Sequence, residues 1–119
     1  MIPENYLEFI RNTRYYLKSE IDCFLVHAGL NFHIPDPLED KKAMVWKRDI
    51  KYDEDFLSGR KLIHGHTPQP LENIQLQLAK NSKTVNLDAG CVYKNKKGLG
   101  NLVALNLDQW RLLVQENID

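Results

Sequence analysis

The sequence predicts an α+β domain, mostly β-sheet with a few helices, in which the strands form a sheet with helices on one side. Three observations lead there. Short apolar, β-branched or aromatic runs recur at residues 15–17, Cys23–Val26, Lys61–His64, 84–87, 102–107 and 111–115. Between some of them, apolar residues repeat at helical spacing. The connections are mostly short, with no internal repeat and no long linker.

Taken in order, Pro3 can occupy the first turn of a helix over residues 3–12, in which Leu7 and Ile10, and Tyr6 and Phe9, form apolar i,i+3 pairs. Residues 15–17 and Cys23–Val26 read as a strand pair, the second strand running straight into His27-Ala28-Gly29. Residues 31–40 hold Pro35 and Pro37 and read as a loop, and 39–46 as a short helix. The strand Lys61–His64 stops at Gly65. Leu71, Ile74 and Leu78 fall at i, i+3, i+7, the spacing of a helix that covers a sheet. Three strands over 84–87, 102–107 and 111–115 finish the chain, and the lysine-rich stretch 94–98 reads as a solvated loop.

A length of 119 residues bounds the chain to one domain or less. Hydrophobic residues at 43% and charged residues at 27% give the balance of a soluble globular chain. Sixteen basic and 16 acidic residues cancel, which leaves no electrostatic footprint for nucleic acid or an anionic membrane. No apolar run approaches the roughly 18 residues that cross a bilayer. The N-terminus lacks the basic start and apolar stretch of a signal peptide. Cys23 and Cys91 sit in apolar segments without CxxC spacing and read as reduced, packed thiols of a cytoplasmic protein, a single disulfide being the alternative.

Two features share one grammar. Phe24-Leu25-Val26 leads into His27-Ala28-Gly29, and Lys61-Leu62-Ile63-His64 into Gly65-His66-Thr67-Pro68. A strand end points its side chains into the crevice above a sheet edge, where layered α/β folds commonly bind ligands. Glycine permits a tight turn there, and proline stiffens the exit. Imidazole suits zinc, manganese or iron, so His27 and His66 could meet at one metal. The alternative for each is a satisfied structural histidine. His33 lies in a proline-bounded loop without such a context, and His64 precedes the glycine and should point away from His66.

Four stretches then occur in order: Phe24-Leu25-Val26-His27-Ala28-Gly29-Leu30, Val45-Trp46-Lys47-Arg48, His64-Gly65-His66-Thr67-Pro68, and Val85-Asn86-Leu87-Asp88-Ala89-Gly90-Cys91-Val92-Tyr93. Gly100-Asn101-Leu102-Val103-Ala104-Leu105-Asn106-Leu107 continues the series. In order and approximate spacing they resemble the C-terminal half of bacterial serine/threonine-protein-phosphatase-like enzymes of the calcineurin-like metallophosphoesterase superfamily. The resemblance covers nearly the whole chain. It implies the C-terminal half of a four-layer α/β/β/α sandwich, with residues 1–119 as one partial domain.

The resemblance also implies roles. His27 and His66 would be the two histidine ligands of the second metal site. Arg48 would contact the substrate phosphate, a task suited to a planar, bidentate donor, its alternative being a surface ion pair. Tyr93 would lie near the same phosphate, its alternative being an aromatic packed under a loop. Asp88 would be structural. The complete enzyme would hold two divalent metals (manganese, iron or zinc) and hydrolyse a phosphoprotein or a nucleoside polyphosphate with a metal-activated water.

Several parts of that machinery have no counterpart here. The family takes its first metal site from Gly-Asp-x-His, its bridging aspartate from Gly-Asp-x-x-Asp-Arg-Gly, and an asparagine ligand and proton-donating histidine from Gly-Asn-His-Asp/Glu. This sequence has no Gly-Asp dipeptide, and its one Gly-Asn, Gly100-Asn101, is followed by leucine. The chain alone is therefore expected to be inactive, and to pair with an N-terminal half or with itself through an uncovered sheet edge and apolar face. The alternative is a non-catalytic interaction module derived from the same fold.

Overall fold

The computed structural model describes all of residues 1–119. Helix α1 (Glu4–Arg11) follows Pro3, carries Glu4 in its first turn and Arg11 in its last, and buries no residue. That charge order suits the helix dipole. The chain leaves it through Thr13, whose hydroxyl donates to the Ile10 carbonyl at 2.7 Å. Strands β1 (Tyr16–Lys18) and β2 (Cys23–Val26) then form an antiparallel pair in which Tyr16 faces Val26.

A crossover carries the chain from β2 to β3 (Lys61–His64), as a parallel neighbour requires. It holds a short 3-10 turn, Pro37–Glu39, and two short helices, α2 (Lys41–Trp46) and α3 (Glu54–Leu57). Aspartate starts each of the three. Asp36 accepts from the Leu38 N–H, Asp40 from Ala43 and Asp53 from Phe56, which satisfies donors that a first turn leaves open. The 3-10 turn falls in the expected loop, and α3 lies where the sequence reading has no helix.

Helix α4 (Leu71–Ala79) leads from β3 to β4 (Thr84–Asn86), which pairs parallel with β3. The sheet order is β1-β2-β3-β4. Two side chains from the α4 region close its β4 edge: the Gln77 amide oxygen accepts from the Asn86 N–H at 3.1 Å, and Gln69 donates to the Asn86 carbonyl at 2.9 Å. The β1 edge has no further strand. A separate antiparallel hairpin, β5 (Asn101–Asn106) and β6 (Arg111–Glu116), completes the chain.

The expectation of helices on one side is corrected. Side chains alternate across a strand, so Phe24 and Val26 face away from Cys23 and Leu25. Phe24, Val26 and Leu62 pack with Leu30, Met44 and Leu57, which brings α2 and α3 onto one face. Cys23, Ile63 and Val85 pack on the other face with Leu78 of α4 and with Leu105, Leu107 and Trp110 of the hairpin region. Helical patterning tells which stripe of a helix is buried, but not which face of the sheet receives it. The arrangement is α+β, but helix (25%) is as abundant as strand (23%), which corrects the expectation of mostly β-sheet, and no helix is long and apolar enough to cross a membrane.

Candidate metal centre

Strands β2 and β3 are parallel neighbours, with Leu25 beside Ile63, so their C-terminal ends emerge at the same edge of the sheet. One step further, the Gly65 N–H donates to the His27 carbonyl at 2.8 Å and locks the two exits together. A second tie, from the Ala28 N–H to the Met44 carbonyl at 2.7 Å, holds the His27 loop against α2. His66 then adopts a left-handed backbone conformation, φ 71°. That region is sparsely used by residues other than glycine, although histidine enters it more readily than most, and such outliers gather at functional sites.

The outcome is a facing pair. His27 Nε2 and His66 Nδ1 lie 3.1 Å apart across 39 positions of sequence. Two nitrogens bound to one metal at about 2.0–2.1 Å, at angles of roughly 90–110°, stand about 2.8–3.4 Å apart. The pair therefore fits two adjacent positions of a single metal, and it also fits a ring-to-ring hydrogen bond. The Trp46 ring meets His66 edge-on, with centroids 5.8 Å apart. The other nitrogen of His66, Nε2, is buried without a hydrogen-bond partner, and so is the neighbouring Thr67 hydroxyl. No third histidine, cysteine, aspartate or glutamate joins the pair to form a three-donor group. The chain brings two candidate donor nitrogens together at this point.

No family model, curated protein or solved structure matches the chain.

Arg48 follows α2 and is exposed, and it joins neither of the molecule's two ion pairs, Arg11–Glu4 and Lys83–Glu54. Tyr93 is also exposed, with Lys96 over its ring at 4.4 Å. Neither side chain lines the two clefts that open beside His27. Asp88 takes a local role: its carboxylate accepts from the Gly90 N–H at 2.9 Å and shapes the exit from β4. His64 is buried, and burial pushes its imidazole below the ordinary value and favours the neutral ring. His33 is exposed, and only its backbone N–H is engaged, by Asn31. Cys23 is a buried free thiol and Cys91 a half-buried one.

Arg14 belongs to none of the sequence motifs. It lines both clefts beside His27. The signal for it is its place in the chain rather than any motif: it lies two residues before Tyr16, which pairs with Val26, the residue that precedes His27.

Proposed function

We propose that the chain is the C-terminal half of a binuclear metal-dependent phosphatase with a four-layer sandwich fold, and that it contributes His27 and His66 to one of the two metals. One observation carries this reading: the ring nitrogens of His27 and His66 face each other at 3.1 Å, at the shared end of two parallel strands. The motif series of the sequence adds the phosphatase class. A divalent metal (manganese, iron or zinc) held there would lower the pKa of a water, so that hydroxide is available near neutral pH as the nucleophile for a phosphoester. His27 and His66 would hold that metal as neutral imidazoles, and the Trp46 ring would keep His66 in place. Arg48 and Tyr93 would reach the phosphate of a phosphoprotein or nucleoside polyphosphate from exposed positions. The bridging carboxylate and the general acid would come from an N-terminal half. The two free thiols accord with a cytoplasmic setting.

A second reading has an observation of its own. With no third donor beside the two histidines, the chain alone suits a non-catalytic module whose histidines pair by a hydrogen bond.

Metal titration followed by NMR separates the two readings. Zinc should shift the His27 and His66 ring signals together. Affinity should be weak, because water fills the remaining coordination positions. His27→Ala or His66→Ala should abolish the response. A chain that ignores zinc, or binds it equally well without His66, would favour the module.

A further inference from the structure

Two clefts open beside His27. One, of about 410 Å³, is walled mainly by apolar side chains of the sheet. The other, of about 570 Å³, is lined by Arg11, Thr13, Arg14, Tyr15 and His27 together with Ile10 and Val45. Its polar groups are largely committed. Arg11 pairs with Glu4, and the Thr13 hydroxyl donates to the Ile10 carbonyl. Arg14 joins neither ion pair of the molecule, and it borders both clefts.

Its position follows from the fold. Thr13 closes α1, β1 begins at Tyr16, and Tyr16 lies opposite Val26. Arg14 therefore occupies the short connection between α1 and β1, near the end of β2 where His27 emerges. No carboxylate lines the second cleft, which leaves a cationic hollow with one unpaired guanidinium beside a candidate metal ligand. A planar fork of N–H donors matches the oxygens of a phosphate and can hold two of them at once.

We propose that Arg14 is an oxyanion-binding residue of the His27 cleft and takes a phosphate oxygen of a phosphorylated ligand. The choice of phosphate over other oxyanions rests on the phosphatase reading given above. The cationic hollow itself does not. Arg14 supplies this contact from the β1 side of the sheet edge, whereas Arg48 stands on the chain leaving α2.

The test uses the full chain, without metal, titrated with inorganic phosphate and followed by NMR. Phosphate should shift signals of residues 13–15 and of His27. Arg14→Ala should weaken binding by about tenfold or more, the effect of a charge-assisted hydrogen bond. Arg14→Lys should recover part of the affinity, because it keeps the charge and loses the fork. Arg111→Ala, on the distant hairpin, should bind as the unaltered chain does. Unchanged binding by Arg14→Ala would overturn the proposal, as would phosphate that leaves the cleft signals unmoved. A loss seen with Arg48→Ala instead would overturn it in favour of that residue. Zinc titration of the same samples keeps the two readings apart. Arg14-dependent phosphate binding in a chain that ignores zinc would uphold the oxyanion site and sink the phosphatase reading. Zinc binding lost in His66→Ala, with phosphate binding indifferent to Arg14, would do the reverse.

Discussion

On the phosphatase reading most of the chemistry would turn on His66, whose backbone is itself unusual. A left-handed non-glycine residue costs about 1–3 kcal/mol unless its surroundings hold it there. Here Gly65 is tied to the His27 carbonyl on one side and Trp46 packs on the ring from another. Asp40 shows a second use of a single side chain. Its hydrogen bond from Asn31, and then that from the Ala43 N–H, hold its carboxyl below the ordinary 3.8. A carboxylate with a depressed folded pKa stabilises fully above the unfolded value, and that contribution is lost as pH falls through the folded one. The melting temperature of the unaltered chain should therefore fall more steeply than that of Asp40→Asn below pH 3.8, with parallel profiles above it. Thermal melts across an acid series check this. Parallel profiles throughout would show that the cap does not depend on charge.

Short elements in this chain are held by their ends and edges rather than by length. Helices α2 and α3 have six and four residues, too few to be stable alone, and each is started by an aspartate cap and pinned by one buried side chain, Met44 or Leu57. Strand β4 has three residues and keeps its outer edge closed by Gln69 and Gln77. Leu62 of β3 is fully buried and packs in the same core as Met44 and Leu57. Leu62→Ala should destabilise by about 2–5 kcal/mol, as other large-to-alanine core changes do. The hairpin is entered at Gly100, whose φ is +86° and where an added Cβ would lie 2.6 Å from the Lys94 Cα. That neighbour is backbone and cannot swing away. Gly100→Ala should cost roughly 1–3 kcal/mol. Urea unfolding measures both changes, and a Gly100→Ala midpoint equal to that of the unaltered chain would show that the entry to β5 relaxes freely.

Apolar surface is distributed unevenly over the molecule. Helix α1 leaves Tyr6, Phe9 and Ile10 exposed, Phe9 at 72%, and Leu17 on the open β1 edge is exposed as well. Large exposed apolar patches beside an unpaired strand edge favour association. Sedimentation should show self-association that grows with concentration, reduced by Phe9→Glu. The isolated chain should not turn over p-nitrophenyl phosphate above background even with excess manganese, because losses of cooperating catalytic groups are not made good by the remainder. Mixing it with a chain that bears the Gly-Asp-x-His, Gly-Asp-x-x-Asp-Arg-Gly and Gly-Asn-His-Asp/Glu motifs should generate activity found in neither part. Within that complex, Arg48→Ala should lower the rate by about one to two orders of magnitude, and His66→Ala by much more. Turnover by the isolated chain, or a mixture active without His66, would refute the reading.

Local structure was legible from the residues alone. The apolar runs of Cys23–Val26 and Lys61–His64, and the helical spacing of Leu71, Ile74 and Leu78, mark elements that the structure contains, because burial imposes its period on the chain. The histidines at 27 and 66 could be singled out because each follows an apolar run and has a glycine nearby. Helix α3 was legible in principle, since Asp53 precedes Glu54 and Asp55 in the manner of a helix start, but four residues carry too little periodicity to register. What no local pattern contains is the relation between distant elements. Parallel pairing of β2 with β3 brings His27 to His66, packing on both faces of the sheet sets α4 opposite α2, and pairing of β1 with β2 returns the chain before β1, with Arg14, to the clefts beside His27. Pairing and register depend on which surfaces bury each other, a property of the folded chain as a whole and not of any segment within it.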